Sequence, residues 1–248
     1  MPIASELQSF HRPGGDTGVL VLHGFTGSPA AVRPWAESIA AAGHTVAAPR
    51  LPGHGTTWQE LAVVSWQDWY DTAATEYLQL AAQCERVVVC GLSMGGALAL
   101  RLAERHPSVT GLVLVNPALS AVDPLARFAP LIRPLVTSVP AISGDIKRPG
   151  ADERAYTRTP VAGVTQLLKL WVDVRSLLDL VICPVLVYRS RIDHVVPPSS
   201  VEIIRRHIST SDYTEVTLQD SYHVATLDND APRIFAGTTD FIDRVSAD

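Results

Sequence analysis

Gly91-Leu92-Ser93-Met94-Gly95 lies between an apolar run, Val87-Val88-Val89-Cys90, and an alanine- and leucine-rich stretch from Ala97 to His106. The run reads as a strand and the stretch as a helix, so the five residues between them predict a sharp strand-to-helix turn. A serine at the apex of such a turn is held in a strained backbone conformation with its hydroxyl presented outward. Glycines two residues to either side let the strand and helix approach each other. The start of the helix aims free N–H groups, and the positive end of its dipole, at the spot where an oxyanion forms in acyl transfer. The bare G-x-S-x-G pattern is expected by chance in roughly one chain of this length in ten. Its weight therefore comes from the strand before it and the helix after it.

Working outward, strands and helices alternate. Thr17 to Leu22 is apolar on both faces, as a central parallel strand should be, and ends in His23-Gly24-Phe25-Thr26-Gly27. Ser28-Pro29 signals a helix start and Gly43 its stop, and His44 to Pro49 is the next strand. Ser65-Trp66-Gln67-Asp68 is a capping-box pattern opening a helix to about Gln83. Val109 to Val115, Pro184 to Tyr188 and Thr214 to Leu218 are further strands, with helices near Ser199 to His207 and Ala231 to Val245. Residues 1–16 have room for a short edge strand at most. From Ala118 to Leu178 the alternation stops, and prolines from Pro124 to Pro160 punctuate apolar helical pieces. The expected fold is α/β: a mostly parallel, doubly wound sheet of about 6–8 strands flanked by helices. Residues 1–117 and 179–248 would form the core and 118–178 an inserted helical cap.

With 248 residues, 47% of them hydrophobic, the chain is long enough for one large core and short for two. A net charge of −5 without a dense basic cluster excludes the electrostatic footprint of a nucleic-acid binder and favours small or apolar partners. Cys84, Cys90 and Cys183 have no metal-ligand spacing and read as reduced core residues, so no metal is expected. The segment Met1-Pro2-Ile3-Ala4-Ser5-Glu6 lacks a basic stretch leading into an apolar one, and no run approaches a membrane span. A cytoplasmic location follows as the expectation, with peripheral contact at membranes left open.

Ligands of doubly wound sheets bind beyond the carboxyl ends of the strands, so the exit loops are the places to look for chemistry. A serine hydroxyl needs a base, usually histidine. Of the eight histidines, His223 follows the last strand on that edge of the sheet, in Asp220-Ser221-Tyr222-His223-Val224. His106 and His207 sit at helix ends and His11 in the N-terminal segment, while His23 and His54 are wedged beside glycines and shape their loops. The acid that orients the imidazole is expected on the loop after Val185 to Tyr188, which selects Asp193 in Arg191-Ile192-Asp193-His194-Val195-Val196-Pro197. Its competitors Asp220 and Asp228 are local to His223, where an aspartate more often caps a turn. The backbone N–H groups of Met94 and Phe25 are the expected oxyanion donors.

With these motifs in place the chain resembles the α/β-hydrolase superfamily over nearly its whole length. More narrowly, it resembles the bacterial monoacylglycerol lipases and related small carboxylesterases. The resemblance rests on His23-Gly24-Phe25-Thr26-Gly27, Leu51-Pro52-Gly53-His54-Gly55, Gly91-Leu92-Ser93-Met94-Gly95-Gly96, Asp193-His194-Val195-Val196-Pro197-Pro198 and Ser221-Tyr222-His223-Val224-Ala225-Thr226-Leu227-Asp228. It implies Ser93 as nucleophile, His223 as base, Asp193 as its partner, Phe25 and Met94 as oxyanion donors, and a lipid ester as substrate without metal or organic cofactor. It further implies that the insertion is a mobile apolar cap whose Ile142 and Glu153 contact a glycerol headgroup. The cap residues Leu125, Phe128, Leu131, Ile132, Leu135 and Val136 suit an acyl chain or a membrane surface, and equally suit packing on their own domain. Two rival readings are an enzyme acting on short acyl esters, thioesters or a carbon–carbon bond, and a hydrolase fold serving as a non-catalytic ligand sensor. Dehalogenase and epoxide hydrolase chemistry would need an aspartate where Ser93 stands.

Overall fold

In the computed structural model, alternate residues of each central strand divide between two cores. Leu20, Leu22, Val87, Val89, Leu112 and Leu114 pack on one face of a sheet, and Val19, Val21, Val88, Cys90, Val113 and Val115 on the other. Burial on both faces is what a parallel strand between two helical layers requires. The structure describes residues 4–122 and 124–247, and of Pro124 and Leu125 the backbone alone. The expectations for residues 1–3 and for the Leu125 side chain fall outside these residues.

In chain order the described strands are β1 (Phe10–Arg12), β2 (Thr17–Leu22), β3 (Thr45–Ala48), β4 (Arg86–Leu92), β5 (Gly111–Val115), β6 (Ser138–Pro140), β7 (Arg158–Pro160), β8 (Val185–Ser190) and β9 (Tyr213–Leu218). The helices are α1 (Arg33–Ala41), α2 (Trp58–Ala62), α3 (Trp66–Ala81), α4 (Met94–Arg105), α5 (Ala129–Ile132), α6 (Val161–Arg175), α7 (Ser199–His207) and α8 (Ala231–Ser246). A seven-stranded sheet runs β1-β3-β2-β4-β5-β8-β9. Its strands are parallel except β1, the short edge strand, which pairs antiparallel with β3. Helices α3, α4 and α6 contribute to one core, and α1 and α8 to the other. The cysteines are free and buried, and burial pushes the Cys90 thiol well up.

Local signals account for most boundaries. Ser65 and Asp68 form the expected capping box at the start of α3. The helix expected to run unbroken from Pro29 is interrupted: a 3₁₀ turn spans Pro29–Ala31 and α1 begins again at Arg33. Pro34 explains the break, because it has no N–H for an interior helical bond but fits a first turn. In the 118–178 segment the expectation of helical pieces alone needs correction. Residues of β6 and β7 pair antiparallel, with Ser138 opposite Pro160 and Pro140 opposite Arg158. Both prolines suit an extended edge and neither suits a helix interior. Arg101 on α4 pairs with Glu104 (3.0 Å) and with Asp173 on α6 (2.7 Å), tying the segment to the helix that follows Ser93. Burial raises the Glu104 carboxyl to about 8 despite its arginine.

The tightest backbone approach in this core is at the turn itself. A Cβ on Gly95 would lie 2.1 Å from the Leu22 carbonyl oxygen, and one on Gly91 would lie 2.3 Å from that of Gly95. Both neighbours are main chain and cannot swing aside. Gly95→Ala is therefore expected to cost about 2 kcal/mol or more, lowering the melting temperature by roughly 4–8 °C for a chain of this size. Thermal unfolding followed by circular dichroism checks this, and a variant melting with the wild type would contradict it.

Candidate active site

Ser93 occupies the single residue between β4 and α4, with φ 56° and ψ −115°. A non-glycine residue there stores roughly 1–3 kcal/mol of strain, and backbone bonds on both sides hold it in place. Its N–H donates to the Val115 carbonyl (3.0 Å), and its own carbonyl accepts from Gly96 (2.9 Å) and Ala118 (3.1 Å). Met94 is the first residue of α4, so its N–H is one of the four that no intrahelical carbonyl can satisfy.

The loop after β2 passes directly over this turn. A Cβ on Gly24 would come within 3.3 Å of the Ser93 Cβ, which brings the Phe25 peptide to the same place. His23 shapes that loop from below. Its Nδ1 bonds the Gly24 carbonyl (2.9 Å) while its Nε2 accepts the N–H of Leu51 (3.1 Å), so the proton sits on Nδ1. Burial lowers its pKa to about 4, and the ring stays neutral. His54 stacks edge-on against it at 5.0 Å, also driven well down by burial. Both residues act on loop shape, as their glycine neighbours suggest.

His223, in the loop after β9, is buried, and its Nδ1 lies 2.8 Å from Oδ2 of Asp193 in the loop after β8. The other Asp193 oxygen accepts the N–H groups of Val195 and Val196, both at 2.8 Å. Burial alone would raise the Asp193 carboxyl. The hydrogen bond and charge of His223, with the two N–H groups, outweigh it and hold the carboxyl below its usual range. The competing aspartates lie elsewhere: Asp220 is exposed and paired with Lys147, and Asp228 is fully buried with its oxygens on backbone N–H groups. Asn116 was legible only as the end of a strand. Buried at φ 44°, it donates from Nδ2 to the carbonyl of His223 (2.7 Å) and accepts from the Ser190 N–H (2.8 Å). It thereby joins the ends of β5 and β8 to the histidine loop. The only hint in the sequence is that asparagine tolerates this backbone region better than most residues.

Ser93, His223, Phe25, Ile142 and Glu153 all line one cavity of about 460 Å³, within the range of small-molecule sites. Its far walls are apolar and include Ile132, Leu167 and Trp171. Burial raises the pKa of Glu153, against a hydrogen bond from the Gly144 N–H (2.6 Å) to its carboxylate. The apolar residues of the 118–178 segment divide: Ile132 lines the cavity, while Leu131 and Leu135 are 76% and 89% exposed. Such a site can take an apolar chain with the Ser93 hydroxyl and the His223 ring in its wall.

Comparison with known proteins shows the family. The family described as Hydrolase_4 (serine aminopeptidase, S33) matches residues 16–230, and the chain belongs to it. It is 41% identical over 242 residues to the thermostable monoacylglycerol lipase of Bacillus sp. (strain H-257), covering 97% of this chain and 96% of that one. It is 28% identical to the carboxylesterase of Bacillus subtilis (strain 168), over 95% of this chain and 96% of that protein. A solved structure from work on the metagenome-derived lipolytic enzymes LipS and LipT superposes with a TM-score of 0.95 at 38% identity, covering 98% of this chain and all (100%) of the other.

The Asp193–His223 geometry generates a direct expectation. Asp193→Asn leaves the fold intact and lowers ester turnover by about 10⁴-fold, because the imidazole loses the partner that fixes its tautomer. Asp220→Asn leaves the rate unchanged. Steady-state rates on an aryl ester distinguish the two, and the reverse pattern would reassign the acid.

Proposed function

We propose that this member of the Hydrolase_4 family is a serine ester hydrolase that cleaves monoacylglycerols to fatty acid and glycerol through an acyl-enzyme at Ser93. The observation that carries the proposal is the lining of the cavity. Ser93 and His223 share it with many apolar residues, among them Ile132, Leu167 and Trp171, and with the carboxyl-bearing Asp145 and Glu153. A molecule with one acyl chain and a small polyhydroxy alcohol matches that mixture. The high identity to a protein named for monoacylglycerol hydrolysis supports the same substrate class.

In this reading His223 removes the Ser93 proton as the hydroxyl attacks the ester carbonyl. Asp193 stabilises the imidazolium, and the N–H groups of Phe25 and Met94 receive the oxyanion. The imidazolium returns the proton to the departing glycerol oxygen. Water, deprotonated by the same histidine, then releases the fatty acid. The chemistry calls on no metal or organic cofactor. Residues 118–178 act as the cap over a core made of residues 1–117 and 179–248, and Ile142 and Glu153 contact the alcohol. No described helix is long and apolar enough to cross a membrane. The exposed Leu131, Leu135 and Phe128 give the cap an apolar outer surface suited to transient contact with a lipid surface.

A second reading, a general carboxylesterase acting on short to medium acyl esters, is favoured by the 28% identical relative. Rates across mono-, di- and triacylglycerols and short aryl esters separate the two: monoacylglycerols should lead, and equal rates on aryl esters would favour the broader enzyme. Glu153→Ala should slow monoacylglycerol hydrolysis about tenfold more than aryl ester hydrolysis, the scale of one lost polar contact. An equal loss on both would remove Glu153 from the alcohol site. A fluorophosphonate probe should label Ser93, and failure to label folded protein would favour a sensor.

A further inference from the structure

The main chain of His223 is held from two sides. Asn116 takes its carbonyl from within the core, and its N–H is bonded by a residue that the core does not supply. Asp145 lies in the cap, between β6 and β7, and its side chain is only 12% exposed. Its Oδ2 accepts the N–H of His223 (3.1 Å) and also the N–H of His194 (3.2 Å). Its Oδ1 bonds Nδ1 of His194 (2.7 Å), and its own carbonyl accepts the N–H of Val224 (3.1 Å). His194 is the residue directly after Asp193. A single carboxylate therefore spans, on the backbone side, the same two loops whose side chains meet as Asp193 and His223.

The span is reinforced in both directions. The ring of His194 packs edge-on against Tyr222, the residue before His223, with centroids 4.8 Å apart. Asp228 returns the clamp from the core, its carboxylate accepting the N–H groups of Lys147 (2.7 Å) and Arg148 (2.9 Å) in the cap and of Tyr222 (2.9 Å) in the histidine loop. Hydrogen bonds to a carboxylate are stronger than neutral ones, and the Asp145 carboxylate makes three of them across the two loops.

We propose that Asp145 is a positioning residue for the hydrolytic reaction: the cap, through this carboxylate, sets the register between the Asp193 loop and the His223 loop and so the aim of the imidazole at Ser93. The proposal rests on the assignment of Ser93, Asp193 and His223 as the reacting group. It gives the cap a part in the chemistry distinct from binding substrate. A displacement of the base by about 1 Å is enough to cost roughly 100-fold in rate, and with Asp145 truncated no other described residue of the cap accepts the His223 N–H. Asparagine at 145 retains an oxygen for the two backbone N–H groups and can offer its amide N–H to His194 Nδ1, so it should substitute well.

The test compares Asp145→Ala, Asp145→Asn and, as a control in the same segment, Lys147→Ala, whose side chain reaches outward to Asp220. The readouts are kcat and KM on p-nitrophenyl butyrate, which has no glycerol moiety, and the second-order rate of fluorophosphonate labelling. Thermal unfolding of each variant reports folding. For Asp145→Ala the expected result is a fall in kcat and in labelling rate of about 10- to 100-fold with KM within about twofold. Asp145→Asn should recover to within about fivefold of wild type, and Lys147→Ala should match wild type. If Asp145→Ala does not fold, Asp145→Glu, which keeps the charge but moves the oxygens by one methylene, carries the same expectation for kcat. A folded Asp145→Ala with wild-type kcat, or a loss confined to KM, overturns the proposal. Wild-type protein that neither hydrolyses the ester nor takes the label overturns the esterase reading and this proposal with it.

Discussion

The contact on which the rest depends is the approach of the first turn of α4 to the end of β2, where Gly95 sits against the Leu22 carbonyl with no room for a Cβ. That approach fixes the angle at which the chain leaves β4, and the angle forces Ser93 to φ 56°. It also brings the loop after β2 against the serine, where a Cβ on Gly24 would lie 3.3 Å from the Ser93 Cβ. Strain at Ser93 and the opening of this residue to the cavity are consequences of a single close packing of main chain. The stabilisation that offsets the strain comes from the two apolar cores that grip the sheet on either side.

Much of this was legible in the sequence because the physics behind it is local. Apolar runs such as Val87 to Cys90 can only be strands between two layers, and Ser65 with Asp68 satisfies its own helix end. The glycines flanking Ser93 declare a turn. The break at Pro34 was missed because the signal at Ser28-Pro29 is a valid start, and the proline further on decides between continuation and restart. The β6–β7 pair escaped for a different reason. Each strand is three residues long and the two are separated by residues 141–157, so neither period nor turn chemistry marks them.

The site divides along the same line. Ser93, Asp193 and His223 fall on the exit loops of the parallel strands β4, β8 and β9, and sheet topology places those loops along one edge. Asn116, Asp145 and Asp228 could not be found that way, since each acts by bonding backbone groups far away in the chain. A carboxylate that accepts main-chain N–H groups leaves no complementary residue to search for: any amino acid but proline presents the same donor. Aspartates near His223 read as turn caps, and for Asp228 that reading is correct, although part of what it caps belongs to residues 147 and 148.

These long-range bonds also explain why the two sides of the 118–178 segment differ. Residues 145–148 are tied to the histidine loop through Asp145 and Asp228. Tyr156 is tied to the loops over the serine, donating its N–H to the Thr26 carbonyl (3.2 Å) and its hydroxyl to the Gly53 carbonyl (2.7 Å). The other end of the segment, where Ile132 lines the cavity and Leu131 and Leu135 face outward, is apolar instead. The asymmetry matches what each side would recognise in the proposed reaction. A small alcohol is read by directional polar contacts, which lose their value if the groups that make them shift by a fraction of an ångström. An acyl chain is held by burial, which is non-directional and tolerates variation in wall position and chain length. In the proposed reading, a polar side bonded to the loops of Asp193 and His223 and an apolar side around Ile132 would let one segment hold the alcohol in register with the base while accepting chains of different length.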